Sequence, residues 1–464
     1  MIKSNRFKIA AIASLALAPL TNAGAANAPL APLQQLSVFP DQAGQFATFN
    51  FAGPIDTGNP FFQDLGTNGR SCVTCHQPAD AWTVTPAHIR NRFAATAGRD
   101  PIFRTNDGAN CPSADVSTPA ARRRAYSLLL NKGLIRIEMA VPANAEFTVI
   151  QIVNPYGCTD TNALSMYRRP LPTTSVANLS TVMWDGRETF AGKSVYEDLS
   201  HQAIDATLGH AQAAQAPSAE QVKAIVDFQL QLFTAQIRDA EAGSLTALGA
   251  SGGPLALSQQ NFFLGINDPL GLNPAQTPFD ARIFDIFDAW ASNAGTGDKA
   301  KARQAIVRGQ QLFNTLPINI SGVAGLNDVA LPFDGQVHPS VAGTCGTCHD
   351  APNVGDHSLP APLNIGLTDA ARRTPDLPLI TLMNTLTGET VQTSDPGRAM
   401  VTGKWADIGK FKGPILRGLA GRAPYFHNGS AATLGDVLDF YNTRFNLNLT
   451  ARQRSDLIAF LNTL

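Results

Sequence analysis

The pentapeptide C-x-x-C-H occurs twice in this chain, as Cys72-Val-Thr-Cys75-His76 and as Cys345-Gly-Thr-Cys348-His349. No other feature restricts the fold as much, because two thiols and an imidazole within five residues must converge on one object. A redox C-x-x-C pair or half of a zinc site needs the two cysteines but no histidine directly after the second. Covalent haem attachment needs all three: each thiol adds across a vinyl group, and the histidine becomes an axial ligand of the iron. The two motifs therefore predict two covalently bound haems c, with His76 and His349 as proximal iron ligands.

Cys111 and Cys158 are left over. The first residues, MIKSNRFKIAAIASLALAPL, place Lys3, Arg6 and Lys8 before an apolar run, and small residues follow at Ala23, Ala25 and Ala28. That is the pattern of a cleavable export signal over 1–28. The run is shorter than the roughly 20 apolar residues a membrane span requires, and no later stretch reaches that length. A periplasmic chain without a membrane span in its mature part is expected. There the two remaining cysteines either pair as a disulfide or stay as separately buried thiols. A formal net charge of -1 excludes the dense basic surface that nucleic-acid binding requires.

With 464 residues, 44% of them hydrophobic and 15% charged, the chain has enough apolar material for two cores. Ser218-x-x-Gln221 has the form of a capping box, and Val222, Ile225, Val226, Phe233 and Ile237 continue at helical spacing. A helix running to about residue 238 is expected. Residues 29–60, rich in Ala, Pro, Gly and Asn, read as an irregular leader, and Phe61, Phe62 and Leu65 as an apolar face beside the first motif. The alternation in LIRIEMAV and in EFTVIQIV reads as a β-hairpin. Near the end, a helix over 299–314 carries Gly309 among Ile306, Leu312 and Phe313, and a last helix starts at the N-cap Thr450. Gly309 would let the two cross closely. The expected fold class is mainly α: two cytochrome c-like haem domains with a small β-hairpin insertion in the first. Their boundaries are 29–256 for the first haem domain, 257–297 for an inter-domain connection and 298–464 for the second haem domain, with the Gly-, Ser- and Ala-rich stretch 241–256 as the candidate linker.

Three stretches together resemble the bacterial di-haem cytochrome c peroxidase superfamily, which includes the MauG-type enzymes. They are the paired C-x-x-C-H motifs, MWDGRE at 183–188, and RAPYFHNGSAATLGDVLDFY at 422–441. The resemblance implies haems that face a shared interface, with Trp184 of W-D-G-R relaying electrons between them. Fourteen positions after the histidine of Y-F-H-x-G, typical peroxidases have methionine and MauG-type enzymes tyrosine. Here His427 is followed by Tyr441. Thr433 caps a helix on which Leu434, Val437, Leu438 and Tyr441 share one face, which suits both a second-haem ligand and an ordinary core tyrosine. Met400 is the rival ligand.

At the first haem, LSHQA puts Gln202 at the family's distal glutamine, while Ala206 stands where a proline is usual. His210 and Gln212 stand near the position of the usual acid. His210 is either a proton shuttle in peroxide cleavage or an iron ligand that closes the site, and His88 is an alternative ligand. The superfamily also binds one calcium ion through an asparagine side chain and backbone carbonyls just before Y-F-H, which Asn178, Arg422 and Pro424 match. The implied activity is reduction of hydrogen peroxide with oxidation of an electron-donor protein or another partner. The alternative is a di-haem electron carrier without peroxidase activity.

Overall fold

The computed structural model describes residues 33–464, so the expected export signal lies outside the described residues. In chain order, the elements used below are β1 (Leu36–Pro40), β2 (Gly44–Asn50), α1 (Pro86–Thr96), β3 (Ile135–Ala140), β4 (Phe147–Val153) and β5 (Ala163–Arg168). They continue with α2 (Val195–Gly209), α3 (Ala219–Leu230), β6 (Leu232–Asp239), β7 (Gly243–Ser244), α4 (Gly297–Thr315), β8 (Ile318–Ser321) and β9 (Ser340–Gly343). Last come β10 (Leu379–Asn384), β11 (Thr390–Thr393), α5 (Leu434–Phe445) and α6 (Ala451–Leu461).

The expected mainly α architecture is corrected by this order. The structure is 30% helical and 17% strand, and among the described residues the strands form four sheets. The largest sheet, ordered β1-β2-β6-β7, takes up the supposed leader. Val38 lies opposite Ala47, and Thr48 opposite Thr234. The helix expected to reach residue 238 stops at Leu230. Val222, Ile225 and Val226 do form its buried face and Ser218 with Gln221 its capping box, but Phe233 and Ile237 lie in β6. The reason is tertiary: β2 offers an unpaired edge, and the aromatic and β-branched residues of LFTAQI satisfy it along eight residues. Gly243 and Ser244, within the Gly- and Ser-rich stretch, pair with β6, and their neighbours Ala242 and Leu245 are fully buried.

Nor do β3 and β4 form a hairpin. β3 pairs with β5, Ile137 opposite Met166, while β4 pairs with β10 more than two hundred residues downstream, Val149 opposite Leu382. Alternation identified both strands correctly. It carries no information about which partner each one meets. The β4–β10 pairing laces the first half of the chain to the second.

In the second half, α4 and α6 cross at Gly309. A Cβ placed there would lie 2.0 Å from the Asp456 carbonyl oxygen and 2.6 Å from Phe460 Cβ. The crossing thus depends on the missing methyl. Gly309→Ala is expected to destabilise the chain by about 1–3 kcal/mol through overpacking, outweighing the roughly 1 kcal/mol of helix propensity that alanine gains. Thermal unfolding followed by circular dichroism checks this, and a raised midpoint would contradict it.

Candidate functional site

A short helical turn, Cys72–Thr74, is closed by a capping box of Ser71 and Thr74. It sets Cys72, Cys75 and His76 on one wall of a void, the first of two. The His76 Nδ1 N–H donates to the Trp82 carbonyl at 3.1 Å, which leaves Nε2 as the ligating atom. Trp82 is itself held: its Nε1 donates to Thr48 Oγ1 at 2.9 Å, and Thr48 Oγ1 lies 2.8 Å from Thr234 Oγ1. The large sheet therefore orients the imidazole. Burial pushes His76 down to about 4, and Cys72 and Cys75 up to about 12 and 11. The imidazole keeps its lone pair at neutral pH, and the thiols stay protonated, unlike the activated thiolate of a redox pair.

One face of α2 and its cap also lines this pocket. Leu199, Gln202, Ala203, Ala206, Thr207 and His210 all reach the void. Their spacing of i, i+3, i+4, i+7, i+8 and i+11 is that of a single helical stripe. His210 ends this stripe and is firmly placed. Its Nδ1 N–H donates to Asp107 Oδ2 at 2.6 Å, and Asp107 Oδ1 accepts from Arg70 Nη1 at 2.5 Å. The His210 carbonyl accepts from Asn68 Nδ2 at 2.8 Å. Burial would raise the Asp107 carboxyl, but the hydrogen bond from His210 and the charge of Arg70 outweigh it and hold it below the usual range. Gln212 is exposed, bonds Asn68 and stays outside the void. His88 also stays outside; it lies on α1, half-exposed, and pairs with Asp80 at 2.6 Å.

The second motif repeats the design. Thr344 and Thr347 cap the turn Cys345–Thr347, and Cys345, Cys348 and His349 line a second void. His349 Nδ1 donates to the Gly355 carbonyl at 2.6 Å. Burial lowers the His349 imidazole and raises both thiols to about 12. α5 starts at Thr433, which caps it with Asp436, and turns Leu434, Val437, Leu438, Tyr441 and Phe445 to the void. Burial, then the nearby thiols, push the Tyr441 phenol well above its ordinary value. Met400 is buried elsewhere, in a core with Phe147, Leu164 and Leu382, and lines neither void.

Trp184 lines both voids. Its indole Nε1 donates to the Arg169 carbonyl at 2.8 Å, and its own carbonyl accepts from the Lys412 N–H at 2.9 Å. His427 lies edge-on to the indole at 6.1 Å and stacks on Phe411 at 4.0 Å. Burial pushes His427 down to about 4. Behind this wall Arg168 bridges Asp185, at 2.5 Å, and Asp395, at 2.7 Å, and the two arginines 168 and 187 hold Asp185 down at about 2 despite its burial. The W-D-G-R turn is thereby anchored to both halves of the chain.

The residues fit covalent haem. Beyond the cysteines and histidines, Arg417 lines the first void with Nε and Nη2 buried and unpartnered, and His427 lines the second with Nε2 in the same condition. Buried polar atoms without partners cost free energy unless a ligand meets them. A porphyrin carboxylate would satisfy the guanidinium. The residues matched to calcium do not fit in the same way. Asn178 is buried with Oδ1 unpartnered, as a cation ligand would be, but the Arg422 carbonyl already accepts from the Arg169 guanidinium at 3.1 Å.

Asp107, Arg169 and Arg417 carry much of this geometry and went unnoticed in the sequence. Each belongs to a segment with no motif of its own, so composition and spacing offered no signal for them.

No family model matches the chain. A cytochrome-c peroxidase of Denitromonas iodatirespirans is 30% identical over 201 residues, 38% of this chain and 44% of that protein. One from Pseudomonas sp. (strain SCT) is 29% identical over 198 residues, 38% of this chain and 43% of that protein. A cytochrome c551 peroxidase of Nitrosomonas europaea is 40% identical over 76 residues, 16% of this chain and 23% of its own length. The chain thus spans less than half the length of the curated relatives it matches. A solved structure of a MauG-like protein associated with microbial copper homeostasis aligns with a TM-score of 0.40 and 18% identity, covering 88% of this chain and 86% of that one. Over these partial matches, and with W-D-G-R beside two C-x-x-C-H pockets, the chain is similar to bacterial cytochrome-c peroxidases.

Proposed function

We propose that this chain is an exported enzyme with two haems c. It reduces hydrogen peroxide in the His76 void and draws the electrons through Trp184 from the His349 void, where a donor protein or another oxidisable partner is served. The observation that carries this reading is that one indole forms part of both walls. A disulfide between Cys111 and Cys158, with Cα atoms 5.7 Å apart, supports maturation in an oxidising compartment such as the periplasm. Among the described residues no helix is long and apolar enough to cross a membrane.

Bound haem supplies the redox-active iron for cleavage of the peroxide O–O bond, which consumes two electrons and two protons per peroxide. His76, its ring held by the Trp82 carbonyl, is the residue that would hold that iron. On the α2 side, Asp107 accepts from His210 Nδ1 and so leaves Nε2 to take a proton from peroxide and return it to the departing oxygen as water forms. Gln202, two turns earlier on the same stripe, offers an amide to orient the peroxide. In the second void His349 and Tyr441 are the residues that would hold iron, the phenolate favouring the oxidised metal.

Trp184→Phe tests the relay. The variant keeps an aromatic ring but loses the indole and its bond to Arg169. Electron transfer between the two sites, followed by stopped-flow absorbance, is expected to slow roughly tenfold or more, about 1.4 kcal/mol in barrier. An unchanged rate with unperturbed spectra would sink the relay role. Two low-spin ferric sites that ignore peroxide even after partial reduction would favour an electron carrier, with His210 Nε2 on the iron.

A further inference from the structure

Arg169 is a buried cation without a carboxylate partner. Its side chain belongs to a residue only 5% exposed, and no acidic group among the described residues lies within ion-pair distance of it. Its partners are backbone carbonyls from three separate stretches of chain. Nη1 donates to Lys132 at 2.7 Å, and Nη2 to Val84 at 2.7 Å and to Arg422 at 3.1 Å. The main chain of the same residue continues the clamp: its N–H donates to the His427 carbonyl at 2.6 Å, and its carbonyl accepts the Trp184 indole. Arg169 also lines both voids.

Convergent carbonyl oxygens are the donor set of a hard cation such as calcium. Here they converge on a guanidinium instead. A divalent ion on the Arg422 carbonyl would face the Arg169 charge bonded to that same oxygen. The Arg422 guanidinium, itself buried and donating to the Ile415 carbonyl, adds a second positive group.

We propose that the Arg169 guanidinium is a built-in cation at the junction of the two voids, holding the strand before W-D-G-R, the segment before Y-F-H and the Lys132 turn together, as a calcium ion is expected to do in related peroxidases. The junction is then assembled permanently and is independent of calcium. Arg169 is a positioning residue: it acts through Trp184 and His427. The inference rests on the two-haem reading but not on peroxidase activity, and its test uses neither peroxide nor a donor.

The test takes the haem-loaded protein, treats it with the chelator EGTA, and titrates it with calcium chloride by calorimetry while ferric EPR and both reduction potentials are recorded. The wild type is expected to bind no equivalent of calcium and to keep its EPR signals and potentials through chelation and readdition. Arg169→Gln, which keeps an amide but removes the charge, is expected to shift the EPR signals of both sites, and Arg169→Lys to shift them less. One equivalent of calcium bound by the wild type and removed by EGTA would overturn the proposal, as would an Arg169→Gln protein with unchanged EPR and potentials. Should the glutamine variant fail to fold, the wild-type titration decides alone.

Discussion

A His210→Ala variant is expected to react with hydrogen peroxide about 10²- to 10⁴-fold more slowly than the wild type, the range that a positioned acid–base group supplies. The expectation follows from the bonding around the imidazole. A histidine held only by packing has two competing tautomers, but His210 Nδ1 faces a carboxylate 2.6 Å away that Arg70 keeps ionised, so its proton stays on that side. Nε2 is then the atom left free, and His210 lines the same pocket as His76. Asp107→Asn keeps an acceptor for Nδ1 but removes the charge, so its loss is expected to be smaller, roughly 10- to 100-fold. Stopped-flow mixing with peroxide, together with ferric EPR of each variant, separates proton transfer from ligation. If His210→Ala instead converted a low-spin site to high spin and sped up the reaction, His210 would be an iron ligand that closes the void.

The same residues show how far the sequence could be read. The two C-x-x-C-H motifs could be singled out from their own chemistry, and Trp184, Gln202, His210 and Tyr441 from the resemblance to the peroxidase superfamily, with the helical stripe around Tyr441 adding support. The α5 stripe is the clearest case: Thr433 caps it, and Leu434, Val437, Leu438 and Tyr441 do share one wall. Contacts between distant segments could not be read in this way. Phe233 and Ile237 have helical spacing after Val226, yet the open edge of β2 takes them into a strand. β3 and β4 look like neighbours in a hairpin, yet each finds a partner elsewhere. Asp107 lies in an insertion that resembles no motif, and its role exists only because that loop folds back on the end of α2. Arg169 carries the same lesson. It is one of two adjacent arginines before a proline and falls in no motif, and only the convergence of three carbonyls shows it to be buried and structural.

Tyr441→Met is expected to raise the reduction potential of the His349 site by an amount on the order of hundreds of millivolts, a substantial part of the roughly 0.8 V that axial ligation spans in haem proteins. Phenolate oxygen is hard and anionic and stabilises ferric iron, whereas thioether sulfur is soft and neutral and stabilises ferrous iron. The exchange should preserve the fold. Methionine is a good helix former and a flexible filler, and it replaces ring contacts of Tyr441 with Phe440 at 5.3 Å, Phe445 at 6.2 Å and Phe426 at 6.3 Å by side-chain packing of its own. Spectroelectrochemical titration of the variant reads the shift directly, with the His76 site as an internal reference. Tyr441→Phe supplies the control, because it keeps the ring and removes only the oxygen. If Tyr441 binds iron, the phenylalanine variant loses that ligand and its ferric spectrum changes, while the methionine variant gains a new axial partner and a higher potential. If both variants keep the wild-type potential and spectrum, Tyr441 is a core residue of α5. The second site would then draw its oxidising power from some other ligand.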